Sequence, residues 1–298
     1  MLAQMEARLY VLPGSHPCAV AEAALKCKSV AYKRVDLLPL SQRFIGPLTY
    51  GGGTVPGMRI DGERIVGSRA ILRRLDELVP DPALYPAELE RRKQVLEAEA
   101  WGDETLQSVP RRIVDALFVR KPSAMLDYAG DAKMPLPRWL QRASTPAVAR
   151  LMAIGNRATD KNVQADLLAL PGYLDKIDAW ITEGLLGGAQ PNAADLQIGS
   201  SIRLLESFGD VAPLLAGRPA ERLARYFPPL VGSVEAGLLP PEWIPAPAPT
   251  PGAPDSAPGA PESAAGASES AAGAPEFAAG APESDPGASE SASTTPVE

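Results

Sequence analysis

The 298-residue sequence is poor in the side chains that build disulfide frameworks and metal sites, with two cysteines and a single histidine, His16. One histidine without clustered cysteines offers no metal site, and two cysteines make no disulfide framework. If Cys18 and Cys27 share a helix, nine residues hold them roughly 13 Å apart, whereas a disulfide needs Cα atoms within about 7 Å. We therefore expect two free thiols and no metal.

Long apolar runs are also missing. No stretch of 18 or more apolar residues exists, which argues against a membrane span. The first residues, 1–8, show no charged-then-apolar signal segment, so a cytoplasmic protein is expected.

Basic residues are absent from Pro245 onward, although this segment holds eight of the 36 acidic residues. All of the net negative charge lies in this segment, because the residues before it carry 28 acids against 29 Lys and Arg. A near-neutral body without a basic stripe argues against a nucleic-acid partner. The acidic segment would also repel phosphate backbones and anionic lipid.

The same C-terminal segment is a repeat, with a glycine at every seventh residue from Gly252 to Gly287. It consists almost entirely of Ala, Pro, Gly, Ser and Glu, so it cannot bury enough apolar surface to offset chain entropy. No bulky apolar residue recurs at two core positions, which excludes a coiled coil. The sequence predicts a disordered tail over 244–298 that solvates the protein, with a docking segment as the alternative.

Residues 1–80 predict a compact α/β domain of four strands. An apolar strand at 8–12, a helix with Pro17 in its first turn and a second strand at 30–36 form a right-handed βαβ unit. Residues 37–53 allow at most a short, irregular helix. Asp61 and Gly62, flanked by alternating apolar residues, predict a tight hairpin. Ser68 is expected to open a helix that ends at Leu78 and to cap its first turn with the hydroxyl.

A proline-rich linker at 81–86 separates this domain from residues 87–243, which predict only helices. Pro110 should kink or divide the first of them and Pro146 should interrupt a later one. Asn192 and Asp195 have the spacing of a helix-capping pair. The expected helical segments are 87–104, 136–156, 165–183 and 195–207, and 218–235 closes the body.

Several motifs in combination resemble those of the glutathione S-transferase family. They are the first strand and helix at 9–25, Gly53-Thr54-Val55-Pro56, the hairpin 60–63, the helix start Gly67-Ser68-Arg69-Ala70-Ile71, the helix exit 75–80 and the capping motif 188–195. The resemblance covers about residues 8–243. It implies a thioredoxin-like βαβ-α-ββα N-terminal domain, an all-α C-terminal domain and a homodimer.

The resemblance also implies a site for glutathione. Ser15 stands where the family has its activating Ser, Cys or Tyr, and its hydroxyl would stabilise a thiolate; a plain helix cap is the alternative. Val55 would pair its backbone with the cysteinyl part of the tripeptide, beside Pro56 in the cis form. The backbone N–H of Ser68 would hold the γ-glutamyl carboxylate.

Gly67 departs from the family pattern, in which an acidic or amide residue precedes the serine and grips the γ-glutamyl amine. Another thiol in place of glutathione therefore stays open. The leading hypothesis is an enzyme that conjugates the bound thiol to an electrophilic small molecule. A binding or scaffold protein that keeps the fold without catalysis is the rival hypothesis.

Cys18 suggests a third function, because Ser15 to Cys18 has the spacing of a Cys-x-x-Cys motif whose first cysteine is replaced. Cys18 would then be the nucleophile of a thiol-disulfide reductase; otherwise both cysteines are small core residues.

His16 is expected in a loop. In this architecture, four residues would border the electrophile pocket: Trp101, Asp103, Arg111 and Arg112. The favoured interpretation of these residues, however, is ordinary packing and solvated charge.

Overall fold

The computed structural model describes residues 6–130, 132–133 and 136–246. The strands are β1 (Ala7–Val11), β2 (Tyr32–Asp36), β3 (Gly57–Ile60) and β4 (Glu63–Val66). The helices are α1 (His16–Cys27), α2 (Gln42–Thr49), α3 (Ser68–Leu78), α4 (Leu89–Trp101), α5 (Ser108–Arg120), α6 (Ala124–Ala129), α7 (Arg138–Gly155), α8 (Asp160–Thr182) and α9 (Ala193–Glu206). Of the predicted tail 244–298, all but residues 244–246 lie outside the described residues.

The four strands form one sheet in the order β2-β1-β3-β4. β1 runs parallel to β2 and antiparallel to β3, and β3 pairs antiparallel with β4. Leu9, Val11 and Met58 are fully buried in the core of this sheet. The predicted thioredoxin-like order βαβ-α-ββα, followed by helices only, is therefore confirmed.

The predicted hairpin is present between β3 and β4. Asp61 (φ 46°) and Gly62 (φ 85°) both adopt positive φ values, as a two-residue hairpin turn of matching twist requires. Ile60 pairs directly with Glu63 across the turn. The Asp-Gly signal thus fixed both the position and the type of the turn.

Helix α3 follows its predicted apolar pattern but begins differently at its first residue. Ile71, Leu72 and Leu75 are fully buried on one face. The cap position is Gly67, and no side chain caps the first turn, so the expected capping by the Ser68 hydroxyl is wrong. Ser68 is itself the first helical residue, and its hydroxyl bonds to a distant helix instead.

The long helical segment that begins with α4 divides at a π-helical turn, Gly102–Leu106, and not at Pro110. Pro110 lies in the first turn of α5, where a missing N–H costs little. Gly102 packs closely against α9, since a Cβ there would lie 2.8 Å from Cγ1 of Ile198. The break therefore lies before the proline, where the chain packs closely against α9.

The predicted interruption at Pro146 is also wrong, because α7 runs through it as one helix of 18 residues. A proline removes one backbone hydrogen bond. Packing against α5 holds the helix together around it, with Thr145 and Ala149 buried.

Helix α9 is buried on almost all sides and begins with the predicted capping pair. The Asn192 side chain accepts from the Asp195 N–H at 3.0 Å, and the Asp195 carboxylate accepts from the Asn192 N–H at 2.9 Å. Asp195 also accepts from the N–H of Gly187 at 2.7 Å. This reciprocal capping box confirms the structural interpretation of both residues.

Both cysteines lie on α1 and are free, as their spacing predicted. Within the described residues, no helix combines the length and the apolar character that a membrane crossing requires.

Candidate functional site

A cavity of about 690 Å³ lies between the thioredoxin-like sheet domain and the helices that follow. Five residues that the sequence singled out line its wall together: Ser15, Val55, Pro56, Gly67 and Ser68. The π-helical turn and α5 supply the facing wall, which includes Asp103, Gln107, Arg111 and Asp115. Among the described residues, no group of three or more His, Cys, Asp or Glu side chains is arranged to hold a metal ion.

Ser15 lies directly before α1, in extended conformation with φ -72° and ψ 120°. Its hydroxyl makes no capping bond to the helix, although the residue occupies the cap position. The plain helix-cap interpretation is therefore not what the geometry shows. The half-buried hydroxyl sits beside the positive end of the helix dipole, an environment that favours a nearby anion.

Cys18 is placed one turn further along α1 and is buried, outside the cavity lining. Burial raises the pKa of the Cys18 thiol to about 11, and the neighbouring Ser15 hydroxyl opposes this only in part. A thiol with so high a pKa is protonated at neutral pH, whereas the thiolate is the reactive form. This environment disfavours Cys18 as a nucleophile.

His16 is not in a loop, as expected from the sequence, but is the buried first residue of α1. Its Nε2 lies 3.2 Å from the carbonyl oxygen of Gln107. Because a carbonyl only accepts, Nε2 carries the proton and donates it. Burial, with the Arg111 charge, holds the pKa of His16 well below its ordinary value, so the ring is neutral and links α1 to the facing wall.

Val55 and Pro56 form an open peptide edge along the cavity. The bond between them is cis. Neither the N–H nor the C=O of Val55 has a backbone partner among the described residues. The carbonyl of Pro56 accepts from the N–H of Gly67 at 2.9 Å, which holds this edge against the start of α3.

Gly67 caps α3 with φ 90° and ψ 147°, a backbone conformation essentially restricted to glycine. No atom other than its chain neighbours lies within 4 Å of the position that a Cβ would take there. The backbone conformation at this position, rather than a lack of space for a side chain, therefore accounts for the glycine. The first N–H groups of α3 follow it and have no partner within the helix, which makes them donors for an anion.

A buried hydrogen-bond chain connects this helix start to the facing wall. The Ser68 hydroxyl donates to Oε1 of Gln197 at 2.9 Å, and Nε2 of Gln197 donates to Oδ1 of Asp103 at 3.2 Å. Nε2 of Gln107 donates to the same Asp103 oxygen at 2.8 Å. Nη1 of Arg69 lies 3.7 Å from Oδ2 of Asp103. The chain fixes the Asp103 carboxylate in the cavity wall.

Sequence reasoning missed Gln197 and Gln107 in this chain. Gln197 is completely buried, and so are its neighbours Leu196 and Ile198. A lone amide within an apolar helix face is the signal that points to a buried partner. Gln107 carries no such signal, because its position depends on the π-helical turn.

Two of the four residues expected at the electrophile pocket line the cavity, namely Asp103 and Arg111. The other two pack elsewhere. Trp101 makes edge contacts with Tyr173 and Trp180 of α8, and Arg112 forms a two-pronged ion pair with Asp166. For these two, packing and charge pairing is the correct interpretation.

Comparison with known proteins identifies one family. The sequence profile of the glutathione S-transferase N-terminal domain matches residues 9–83. A comparison with curated proteins finds no matching sequence.

Solved structures similar to this chain include a glutathione S-transferase from Sinorhizobium meliloti 1021, with 16% identity, 78% of this chain and 96% of that chain covered, and a TM-score of 0.48. A β-etherase from Sphingobium sp. strain SYK-6 has 18% identity, coverages of 74% and 98% and a TM-score of 0.46. A maleylacetoacetate isomerase from Anaeromyxobacter dehalogenans 2CP-1, solved with bound glutathione, has 20% identity, coverages of 74% and 90% and a TM-score of 0.44. Residues 9–83 therefore form the N-terminal domain of the glutathione S-transferase family, and the resemblance that the motifs predicted is confirmed there.

Proposed function

We propose that this protein binds glutathione, or a closely related thiol, and transfers it to an electrophilic small molecule. One observation carries the proposal: Ser15, the Val55–Pro56 edge and the start of α3 at Gly67 and Ser68 line the same cavity. An activating hydroxyl, a peptide-pairing edge and an anion site thus share one space.

The thiol tripeptide would lie along the domain that the profile matches. Val55 offers a free N–H and C=O to the cysteinyl part, in the manner of strand addition. The unpaired N–H groups at the start of α3 suit the γ-glutamyl carboxylate, because they combine donors with the positive end of the helix dipole.

Asp103 would take the amine of the γ-glutamyl group, the role for which Gly67 has no side chain. Two hydrogen bonds link Asp103 to Ser68 through Gln197. Among the described residues, the cation that approaches its Oδ2 is Arg69, at 3.7 Å, so this oxygen can still accept a hydrogen bond from an ammonium group. A carboxylate from the helical domain would thereby replace the one expected before Ser68.

Ser15 would act by donating its hydroxyl hydrogen to the bound thiolate. A thiol with an ordinary pKa near 8.5 is mostly protonated at neutral pH. A donor at the start of α1 lowers that pKa by stabilising the anion, and the thiol proton passes to solvent.

In the transfer step, the thiolate sulfur bonds to the electrophilic carbon. Either the leaving group departs with its electron pair, or the electrons move onto a conjugated oxygen. Holding both partners together supplies the rest of the acceleration.

The test is retention of the purified protein on immobilised glutathione, followed by conjugation of glutathione to chlorodinitrobenzene. We expect retention and turnover. Ser15→Ala should retain binding and raise the pKa of the bound thiol by about 1 to 2 units, the equivalent of one hydrogen bond to a charged group. Cys18→Ala serves as the matched control and should leave that pKa unchanged. Neither retention nor turnover in the parent protein would refute the proposal.

A binding protein without catalysis is the second candidate, favoured by the absence of a side chain at Gly67. It predicts retention on glutathione, no conjugation with any aryl halide, and no effect of Ser15→Ala on the pKa of the bound thiol. The two candidates therefore separate in the same experiment.

A homodimer is part of the proposal as the family resemblance implies it. Light scattering on the eluted protein checks this, and a molar mass close to the 31.3 kDa of one chain would contradict it.

A further inference from the structure

Exposed apolar side chains collect on the two helices that flank the mouth of the cavity. Among the described residues nine large apolar side chains are exposed, and six of them belong to α2 and α7: Phe44, Ile45, Leu48, Trp139, Leu151 and Ile154. Both helices also contribute residues to the cavity lining. A concentration of exposed apolar groups marks a surface that binds a partner.

The two helices meet at this mouth. Nη2 of Arg43 in α2 lies 3.3 Å from the position that a Cβ would take at Gly155, the last residue of α7. Ile154, the residue before it, is 74% exposed. On α2, Phe44 and Leu48 share one helix face and are 77% and 79% exposed. The apolar side chains of α2 and α7 therefore border the same opening.

Helix α7 has two unlike faces. Trp139, Arg150 and Ile154 are exposed, and at about 100° per residue they fall within about 60° of one another on a strip about 22 Å long. Thr145 and Ala149 are buried on the other side, where the helix packs against α5. Helices that lie on membranes carry a tryptophan, aliphatic side chains and arginines in this manner.

The charged residues of both helices are all positive. Helix α2 contains Arg43, helix α7 contains Arg138, Arg142 and Arg150, and neither helix contains an acidic residue. Among the described residues none of these four arginines forms an ion pair, although Asp127 lines a small cavity with two of them. The mouth of the cavity thus offers cations without ion-pair partners beside exposed apolar groups.

This charge decides what can cover the surface. A second copy related by a two-fold axis would place the same face against itself, so that arginines would meet without an acid to pair with them. A bilayer with anionic lipids supplies negative charge at its surface and apolar chains beneath. We infer that α2 and α7 dock on an anionic lipid surface. The side chains that enter the headgroup layer are Phe44, Leu48, Trp139 and Ile154.

The acidic segment from Pro245 onward, which the sequence predicts to be repelled by anionic lipid, acts against this docking. Its eight acids are spread over residues 255–298, whereas the arginines are concentrated on two helices. Charges that lie farther apart than about 8 Å are largely screened at physiological ionic strength. Docking brings the arginines within this distance of the lipid, because they lie beside the inserted side chains, and their attraction outweighs the repulsion.

Flotation of the full-length protein with lipid vesicles, without any thiol or electrophile, tests the docking. One set of vesicles is phosphatidylcholine with about 30% phosphatidylserine, and the other is phosphatidylcholine alone. The partition coefficient should be about tenfold or more higher for the anionic vesicles, and about 0.5 M salt should remove most of this difference. Absence of binding to both sets would overturn the inference. The result does not depend on the proposed transferase function, since no reaction takes place.

A pair of double variants tests the position of the surface. Phe44→Gln with Leu48→Gln should lower the partition coefficient about tenfold or more, since two apolar side chains no longer enter the lipid. Leu89→Gln with Leu168→Gln is the matched control, because these residues of α4 and α8 are 83% and 63% exposed but lie outside the cavity lining. Equal partition of both double variants would contradict docking through α2.

Trp139 reports on α7 directly. Lipid brominated in its acyl chains quenches a tryptophan that enters the bilayer, and Trp139 is 69% exposed, whereas Trp101 and Trp180 pack against each other. Brominated vesicles should quench the fluorescence of the bound protein, and Trp139→Phe should stay bound but lose most of this quenching. Unchanged quenching in that variant would overturn the inference. Binding to soluble polyglutamate without binding to vesicles would also overturn it and would assign the surface to an acidic protein.

Discussion

The hydroxyl of Ser68, the first residue of α3, donates a hydrogen bond to Oε1 of Gln197 in α9 at 2.9 Å, across 129 residues of sequence. Both side chains are buried. The bond joins the sheet domain to the helix at the centre of the helical domain. The start of α3 is therefore held in place from the other side of the cavity.

We expect Gln197→Met to lower the free energy of unfolding by about 1–3 kcal/mol, because Ser68 and Asp103 each lose a buried partner. Urea denaturation measures the loss. Ser68→Ala, alone and combined with Gln197→Met, completes a double-mutant cycle, and residues in one network should show a coupling energy of about 0.5 kcal/mol or more. Strict additivity of the two changes would contradict a shared bond.

Asp103→Asn should weaken retention on immobilised glutathione about tenfold or more, since a neutral amide loses the charge-assisted bond to the γ-glutamyl amine. Calorimetry with glutathione gives the affinity. The complementary change, Gly67→Glu, should not strengthen binding, because φ 90° and ψ 147° at this position cost a non-glycine residue about 1–3 kcal/mol. Glu104→Gln, at the exposed next position, is the control. Tighter binding by a stably folded Gly67→Glu would show that Asp103 is not the amine partner.

Asp115 should make the free energy of unfolding fall as the pH rises, which is opposite to the effect of an ion-paired acid. Burial raises its pKa in the folded chain from 3.8 to about 6, although the Asn156 bond and Arg111 act against this. The folded form then holds the proton more tightly than the unfolded form, so this contribution to stability is present at low pH and is lost as the pH rises through the interval from 3.8 to about 6.

Asp115→Asn removes that contribution while keeping the shape of the side chain. Relative to the parent, the variant should gain about 2 kcal/mol of unfolding free energy between pH 4 and pH 7. Urea denaturation of both proteins at the two pH values provides the difference, in which the other acids cancel. The same stability difference at both pH values would show that Asp115 titrates normally.

Lys28 should be among the most sensitive charged positions, because its side chain is fully buried at the end of α1. Its Nζ donates at 2.6 Å to Oδ1 of Asp76 and to the carbonyl oxygens of Val79 and Pro82. Lys28→Met leaves the carboxylate and the carbonyls without their donor, and we expect a loss of about 3–5 kcal/mol.

Lys26→Met, exposed and two residues away on α1, is the control for Lys28 and should change stability by less than about 0.5 kcal/mol. Thermal or urea denaturation compares the stabilities of the two variants. Equal effects would contradict the anchoring role of Lys28.

Local chemistry in the sequence predicted the elements that depend on neighbouring residues. Asp61 and Gly62 define the hairpin because their backbone preferences match its turn, and the spacing of Ile71, Leu72 and Leu75 defines the buried face of α3. Asn192 and Asp195 cap α9 through bonds that span only three residues.

Features that depend on distant residues were not predictable in this way. The Ser68 hydroxyl was expected to cap its own helix, but its partner Gln197 lies in α9, 129 residues further along the chain. His16 was expected in a loop, and only the carbonyl of Gln107, from the opposite wall, explains its burial. The helix break lies where Gly102 packs closely against Ile198, a contact between distant residues that no local pattern records.

The π-helical turn Gly102–Leu106 also determines which side chains form the cavity wall. An α-helix advances about 100° per residue, and a π-helical turn accommodates one residue more than an α-helical turn does. Deleting a single residue there would therefore restore a regular helix and leave Arg111 and Asp115 facing the cavity, whereas a deletion in the regular part of α4 would rotate everything downstream by about 100°. In this protein, a change of one residue in length can therefore be absorbed at this turn without exchanging the helix face that lines the cavity.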